Sequence, residues 1–448
     1  MSEKLSIIGL SILVFCSRLP FLNTGYGNDP DAWAIANAAR HIATTGEYSA
    51  SRLPGYPVPE LLYALIWPST PFILNAVTAL LSAIGFIFFV LILRTVKSQN
   101  YMWGGLALAF SPVIFIHSTN AMDYIWGLTF ILGSTYLVLR GNTLTAALFL
   151  GIAIGCRITS GAMLLPLLLL VIHQRGNVDK KLLVKFTVIA CGTGALFFIP
   201  VVSEYGLGFA SFYDSYPPLL WVIYSASIVV WGTIGVLALL LAIFIQVIKL
   251  KSNLFPYLMV HYTKEKLLVI ASLSAIILYL IAFLRLPHDG GYLIPLIPFV
   301  ILLLSRFLTR PLYIFVCIAV ILSSFLITVE KNKITIMGPI FNDHQERLEK
   351  SVYAERYLSV TKNLDQKSLI VAGPWMPQMT ALMPPDQTEF VELAYLIEEQ
   401  TLQSYIDQGF QIYYLAGQRE LIRDTYGFDL EEKGARPLVP NEKQDVKW

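Results

Sequence analysis

The chain has 448 residues, of which 56% are hydrophobic and only 14% are charged, and its mean hydropathy is +0.63. Soluble domains carry roughly a quarter charged residues, so this composition excludes a soluble globular protein and indicates an α-helical polytopic membrane protein. A formal net charge of +2 provides no basic field that would attract nucleic acid, and we expect no nucleic-acid partner. The four cysteines form no CxxC pair, which argues against a disulfide framework or a zinc site.

The first three quarters of the chain contain repeated apolar runs of roughly 20 residues, the length that crosses a bilayer. The run at 143–172 is ambiguous, because it is long enough for a tight hairpin of two short helices with Arg157 near the bend. With that hairpin, the sequence predicts about eleven transmembrane helices. The other predicted spans lie near residues 5–22, 71–93, 101–118, 120–139, 182–202, 218–248, 266–284, 291–308 and 311–329.

The positive charges of the loops predict the orientation of these helices, since cytoplasmic loops are enriched in Lys and Arg. The N-terminal apolar segment has no A-x-A-like cleavage site, so we interpret it as a retained first span. We therefore expect a multi-pass protein of the plasma (inner) membrane, with a cytoplasmic N-terminus and the C-terminal region outside. The basic loops that this orientation places in the cytoplasm lie near residues 94–97, 140, 175–181, 249–251, 264–266 and 306–310.

The predicted first exterior loop, residues 23–60, is the longest polar interval in the first half of the chain. Asp29 before Pro30 is typical of a helix start, because the carboxylate caps free N–H groups and proline suits the first helical position. Apolar residues then recur with amphipathic helical spacing as far as Gly46. This helix is too short and too polar to cross a bilayer, which favours a position along the membrane surface. Arg52 and a stiff PGYP turn follow it.

The composition changes at Lys331, after which charged residues are frequent and apolar runs shorten to the length of strands. Short strands are predicted near residues 368–372, 389–393 and 411–415, with helical segments between them. Such alternation favours a small α/β soluble domain. We therefore predict a transmembrane catalytic domain at 1–330 and an exterior domain at 331–448.

Asp29 and Asp31 are the first candidate catalytic residues. Capping and the helix dipole explain Asp29 well and Asp31 in part, because one cap needs only one acid. The alternative is a general base that deprotonates an acceptor hydroxyl beside the membrane. Arg52 and Arg285 are candidates for binding a phosphate, since the planar guanidinium group matches phosphate oxygens. The alternative for either arginine is simple extension toward lipid headgroups.

Further candidates lie at the predicted exterior ends of spans. Arg285 is followed by a turn that contains His288, Asp289 and Tyr292. Asp123 and Arg157 are charged groups at membrane depth, where a structural ion pair and a role in a polar cavity are both possible interpretations. His117 stands alone without metal-ligand spacing and is interpreted as structural. Tyr56, in the PGYP turn, completes the set of candidate site residues.

Four segments of this sequence resemble the GT-C polyprenyl-phosphate-sugar glycosyltransferases, in particular the family 39-like branch of protein O-mannosyltransferases and lipid A aminoarabinose transferases. The resemblance begins with an acid outside the first span, a surface helix ending in Gly-Glu-Tyr, and an R-x-P-G-Y-P segment. It continues in the family's order over most of the first 310 residues. The other segments are SPVIFIHSTNAMDY, CRITSGAMLLPLLLL and RLPHDGGYLIPLIPFVILL.

The resemblance implies a sugar transferase that uses a lipid monophosphate carrier and inverts the anomeric centre. The family's acid stands about fifteen residues before the Gly of its Gly-acid-aromatic ending, and Asp31 stands at that distance from Gly46. Asp31 is therefore the predicted base, with Asp29 second, and Arg52 and Arg285 would bind the donor phosphate. The family often has Asp-Glu where this chain has Asp31-Ala32, which leaves the choice between the two acids open.

Other functions remain alternatives at this stage. A lipid or sugar transporter or flippase would favour broken helices at mid-membrane in two matching halves, and no repeat is visible here. A noncatalytic membrane scaffold could retain the same fold. For the transferase, we expect a polyprenyl-phosphate sugar donor, a glycan, lipid or protein acceptor, and contact with membrane lipid. No cofactor is predicted, and the requirement for a divalent metal is left open.

Overall fold

The computed structural model describes residues 3–98, 100–210, 216–253, 256, 265–330, 333–364, 366–384, 388 and 390–439. Most of these residues are helical. The helices in the first part of the chain are α1 (Glu3–Cys16), α2 (Pro30–Thr45), α3 (Pro57–Leu65), α4 (Pro71–Thr95), α5 (Tyr101–Ala109), α6 (Pro112–His117), α7 (Tyr124–Leu139), α8 (Thr143–Cys156) and α9 (Leu164–Arg175). The later membrane-region helices are α10 (Lys180–Phe197), α11 (Ile199–Tyr205), α12 (Leu219–Tyr224), α13 (Thr233–Leu250), α14 (Lys266–Arg285), α15 (Ile297–Phe307) and α16 (Arg310–Leu326).

Six helical segments within the described ranges are long and apolar enough to cross a membrane, or seven if one pair bent by 48° counts as a single span. Shorter apolar helices of 10–17 residues also occur, among them α7, α8 and α16. The predicted count of about eleven is therefore not confirmed by helix length. The six segments are Lys4–Phe21, Pro71–Thr95, Ile158–Arg175, Thr233–Leu250, Lys266–Arg285 and Gly290–Phe307, and the bent pair is Lys180–Phe197 with Ile199–Gly208.

Two predicted spans are interrupted. The run at 101–118 is divided into α5 and α6, because Pro112 lacks the N–H that would continue α5 and instead begins a new helix. The run at 218–248 is divided before α13 at Gly232, whose φ of +69° lies in the left-handed region. By contrast, the 143–172 run contains two helices, α8 and α9, and the backbone of Arg157 is extended at the bend between them. Whether they form a tight hairpin stays a prediction.

Helix α2 begins and ends where the sequence indicates. The Asp29 carboxylate accepts the Asp31 N–H at 2.9 Å, and Gly46 ends the helix with a φ of +76°. One face of α2 is buried, including Trp33, Ile35 and Ala39, and it packs against α3. The first carboxylates of α2 are thereby fixed close to the loop that precedes α3.

The C-terminal part of the chain contains a parallel sheet in the order β4-β3-β5-β6. Side chains alternate along β3: Leu369 and Val371 enter one apolar core, and Ile370 and Ala372 enter the other. Both faces of the sheet are therefore covered, as parallel sheets require. Its elements are α17 (Pro339–Thr361), β3 (Ser368–Val371), α18 (Met376–Leu382), β4 (Val391–Ala394), α19 (Glu399–Asp407), β5 (Gln411–Tyr414), α20 (Gln418–Tyr426) and β6 (Arg436–Pro437).

Between the two parts, β1 (Thr328–Glu330) pairs antiparallel with β2 (Lys333–Thr335). The predicted domain boundary falls here, at residues 331–332, which lie outside the described residues. The division into two domains stays a prediction. Helix α17 connects the parts: its Arg347 donates to the carbonyl of Thr119 at 3.1 Å, and its Lys350 donates to the carbonyl of Asn28 at 3.1 Å.

Candidate active site

Arg52 lies at the centre of a charged cluster and bridges two acids. Its Nε is 2.9 Å from Oδ2 of Asp31, and one of its terminal nitrogens is 2.8 Å from Oδ1 of Asp123. Arg157 makes an ion pair with the other oxygen of Asp123. Four charged side chains thus join four parts of the chain: the start of α2, the loop before α3, the start of α7 and the α8–α9 bend.

Three tyrosine rings surround the guanidinium groups of this cluster. Arg52 lies 4.1 Å from the centre of the Tyr56 ring, and Arg157 lies 4.1 Å from that of Tyr124 and 5.0 Å from that of Tyr292. These distances are within the range of cation–π attraction. The rings hold the arginine side chains in place and reduce their contact with water, which strengthens their electrostatic attraction for an anion.

Asp289 belongs to the same region. Its Oδ1 accepts the Gly291 N–H at 2.8 Å, which caps the following turn, and its Oδ2 accepts the Tyr124 hydroxyl at 2.7 Å. A Cβ atom on Gly291 would lie only 2.8 Å from Asp289 and 3.0 Å from Nε2 of His117. Glycine is therefore required for this close approach.

His117 also lies here, with its ring 4.6 Å from that of Tyr124. It is buried, and within the described part of the chain its Nδ1 has no hydrogen-bond partner. The sequence interpretation assigned His117 no role, because a lone histidine carries no spacing signal. His117 belongs to the SPVIFIHSTNAMDY segment, which also contains Asp123 and Tyr124. Its place in that segment was the sequence feature that could have indicated its position near the site.

Glu60 is a further residue that the sequence did not identify, although it is the last residue of the predicted first exterior loop. It is fully buried, and one carboxylate oxygen accepts both the N–H and the hydroxyl of Ser51, at 2.8 and 2.6 Å. The other oxygen accepts the Tyr56 N–H at 3.1 Å and the hydroxyl of Tyr48. These four bonds fix the loop on both sides of Arg52, so Glu60 positions that arginine.

The two acids of α2 have shifted proton affinities. Burial, followed by the neighbouring charge of Asp31, raises the pKa of Asp29 to about 6. Burial also raises the pKa of Asp31, although the positive charge of Arg52 opposes this shift. Both groups therefore bind a proton more readily than an ordinary aspartate, which is the property of a general base that operates near neutral pH.

The charged groups differ in their accessibility. The side chain of Asp31 is 38% exposed and that of Arg52 is 20% exposed, whereas Asp123 is fully buried. Nη1 of Arg52 is a buried donor that has no hydrogen-bond partner among the described residues. Buried donors normally have a partner, so this nitrogen is available to bind an oxygen of an anionic ligand. Asp31 is the acid that such a ligand could approach.

Two predicted site residues have exposed side chains outside this buried cluster. Arg285, at the end of α14, donates from Nη1 to the hydroxyl of exposed Tyr216 at 2.8 Å. The carbonyl of His288 accepts from Nε1 of Trp221 at 3.3 Å. Their predicted roles stay predictions. The remaining candidates all lie near Arg52 and Arg157. They are Asp29, Asp31, Tyr56, Asp123, Asp289 and Tyr292.

The residues described contain no group of three or more His, Cys, Asp or Glu side chains arranged to hold a metal ion. The requirement for a divalent metal therefore stays open.

No protein-family model and no curated protein matches the chain. Among solved structures, the chain is similar to ArnT from Cupriavidus metallidurans bound to undecaprenyl phosphate, with a TM-score of 0.51 and 14% identity over 97% of this chain and 89% of that one. The apo form of the same ArnT gives a TM-score of 0.49 and 13% identity, over 97% and 88%. The similarity to the bound form extends over nearly the whole chain. The protein therefore has the same fold as this ArnT structure.

Proposed function

We propose that the protein is a membrane glycosyltransferase that moves a sugar from a polyprenyl-phosphate carrier to an acceptor hydroxyl on the exterior face. The observation that carries this proposal is the bridge from Arg52 to Asp31 and Asp123, with one buried guanidinium nitrogen available for an anion. The ArnT structure was solved with undecaprenyl phosphate, which supports a carrier of this class for a protein with the same fold.

In this proposal, Asp31 is the general base. It takes the proton of the acceptor hydroxyl while the hydroxyl oxygen attacks the anomeric carbon. The bond from that carbon to the phosphate oxygen breaks on the opposite side, so the configuration inverts and the polyprenyl phosphate leaves with the electron pair. The 38% exposure of Asp31 favours it over Asp29, whose carboxylate already caps the helix.

Arg52 stabilises the charge that develops on the leaving phosphate through its unpartnered nitrogen. Asp123 and Arg157 are positioning residues in this scheme, because their ion pair is buried behind Arg52. Arg285 is proposed as a second phosphate ligand from the exposed end of α14, where an entering headgroup could reach it.

The same proposal includes a topology of about eleven crossings in which the shorter apolar helices also span the membrane. The N-terminus would be cytoplasmic, and the C-terminal α/β region would lie outside. Arg40 of α2 donates to the carbonyl of Thr380 in α18 at 3.0 Å. This contact supports placing the first loop and the C-terminal region on the same side of the membrane.

The decisive experiment is a transfer assay in proteoliposomes with a panel of radiolabelled polyprenyl-phosphate sugars and membrane extracts as acceptor. We expect wild-type protein to consume one donor and Asp31→Asn to lower kcat by at least about 100-fold, the typical contribution of a general base. Glu47→Gln, which alters an exposed acid of the same loop, is the matched control and should retain activity. Full activity of Asp31→Asn would refute the role of Asp31, and consumption of no donor would refute the transferase.

A further inference from the structure

A cavity of about 630 Å³ lies between helix α2 and helix α18 of the C-terminal region. Pockets for small molecules typically have volumes of roughly 300–1,000 Å³. One helical face of α2 forms a wall through Asn37, His41 and Thr44, and Thr380 of α18 lies opposite. The walls are fixed to one another, because Asn37 donates to the carbonyl of Pro377 at 2.7 Å.

This cavity adjoins the charged cluster. Its α2 wall begins at Ala34, one helical turn after Asp31, and its floor includes residues 49–51, which end directly before Arg52. Ser51 both lines the cavity and is held by the buried Glu60. Neither Asp31 nor Arg52 lines the cavity itself. A molecule bound there would therefore lie next to the proposed base and the proposed phosphate-binding arginine without displacing the ion pair between them.

The lining is mixed, and its polar part consists largely of hydroxyl and amide groups. Thr44, Ser49, Ser51, Thr380 and Thr388 contribute hydroxyls, and Asn37 contributes an amide. Such groups can both donate and accept hydrogen bonds, as sugar hydroxyls also do. Apolar side chains, among them Met376, Pro377 and Met383, complete the lining, and the C–H faces of sugar rings can pack against such groups. The volume is too small for a folded partner. The size and chemistry together fit a short saccharide.

We propose that this cavity binds the acceptor, and that the acceptor is a saccharide whose hydroxyl points from the cavity toward Asp31. The acceptor role rests on the proposed transferase function. Binding of a saccharide in the cavity does not depend on that function. The two statements can therefore be tested separately.

Thr44 and Thr45 provide a matched pair for the binding test. Both are exposed near the end of α2, and both hydroxyls donate to helix carbonyls, at 2.9 Å to Arg40 and 2.8 Å to His41 respectively, but only Thr44 lines the cavity. In full-length protein whose four native cysteines are replaced by alanine, Thr44→Cys and Thr45→Cys would be labelled with a maleimide. The probes are maltotriose, chitotriose and trigalacturonate, with a serine-containing pentapeptide as the peptide alternative.

We expect at least one trisaccharide to slow labelling of Thr44→Cys by about tenfold when its concentration is well above its Kd, and to leave Thr45→Cys unchanged. The proposal is overturned if no trisaccharide protects Thr44→Cys, if both positions are protected equally, or if the peptide protects as well as the saccharides. Because labelling needs no turnover, this result is independent of the donor assay.

The acceptor role is tested by kinetics with the acceptor that the transfer assay identifies. The indole of Thr44→Trp would enter the cavity, so we expect the KM for the acceptor to rise by about tenfold and the KM for the donor to remain within about twofold. Thr45→Trp should change neither constant. An unchanged acceptor KM for Thr44→Trp would refute the acceptor role even if wild-type protein is active, whereas failure of wild-type transfer would refute the transferase alone.

Discussion

Asp289 reaches the charged cluster from the end of a late span, far in sequence from the loop that carries Asp29 and Asp31. Its negative charge helps to raise the pKa values of both acids, in each case after burial as the larger cause. A base with a raised pKa becomes protonated, and therefore inactive, at a higher pH than an ordinary aspartate. We therefore expect the acidic limb of kcat/KM to lie at a higher pH than the ordinary pKa of an aspartate would give.

Asp289→Asn tests this electrostatic coupling. The amide retains a side-chain oxygen for capping but removes the charge, so the pKa values of Asp29 and Asp31 should fall. The acidic limb of the pH profile of kcat/KM should then move to lower pH, whereas the activity at high pH changes less. Asp424→Asn, which alters an exposed acid in α20, serves as the control. A limb that stays in place would contradict the coupling.

Local sequence signals predicted those residues of the site that also organise the backbone or occur in the R-x-P-G-Y-P segment. Asp29 was recognisable as a cap, and Arg52 by its place before a rigid turn. Glu60 and His117 were not recognised, because their importance comes from burial and from contacts made only after the loops meet. Sequence spacing carries no information about such burial.

At the level of secondary-structure elements, the loop between α2 and α3 depends on one buried carboxylate. Each oxygen of Glu60 accepts one backbone N–H and one hydroxyl, so an amide in either orientation would place its NH₂ group against a backbone N–H that cannot accept. We expect Glu60→Gln to destabilise the fold by about 1–3 kcal/mol and to lower the Tm.

The control for Glu60 is Glu47→Gln, because Glu47 is an exposed acid of the same loop. Thermal unfolding in detergent would compare the two variants with wild-type protein. An unchanged Tm for Glu60→Gln would show that the four donors find other partners. Transfer activity should fall together with the Tm, since the loop also carries Arg52.

Helix α17 gives the C-terminal region a direct contact with the segment that leads into α2. Lys350 binds the carbonyl of Asn28, the residue before Asp29. Lys350→Met should lower kcat by about tenfold without a comparable change in the donor KM, because small misplacements of a reacting group reduce the rate of the chemical step. Lys350→Arg should restore most of the activity, and Lys362→Met, at the exposed end of the same helix, should have no effect. Equal losses for both Met variants would contradict the positioning role.

The helices also show where sequence reasoning is reliable. Proline and glycine signals predicted both ends of α2, because these residues act on the local backbone. The breaks at Pro112 and Gly232 were missed, since hydropathy averaged over a span-length window does not detect a short interruption. Both breaks have local causes, the missing N–H of Pro112 and the left-handed backbone of Gly232, so residue-level signals rather than averaged hydropathy would have located them.

On the scale of the whole molecule, the contact between α2 and α18 requires the first loop and the C-terminal region to lie on the same side of the membrane. The positive loops predict that this side is the exterior. In the cysteine-free background, Thr45→Cys and Gln403→Cys should be labelled by a membrane-impermeant maleimide added to intact cells, whereas Lys180→Cys should be labelled only after lysis. Labelling of Lys180→Cys in intact cells would reverse the orientation.

The cluster around Arg52 has an unequal balance of charge. It contains four carboxyl groups but only two guanidinium groups. The acids are Asp29, Asp31, Asp123 and Asp289, and the bases are Arg52 and Arg157. A phosphate that enters adds further negative charge, and the Asp29 carboxyl, whose pKa burial raises to about 6, can take up a proton near neutral pH. Donor binding would then be accompanied by proton uptake, so the carrier should bind more tightly as the pH falls while the chemical step becomes slower. The working pH of the protein would therefore be a compromise between holding the donor and activating the acceptor.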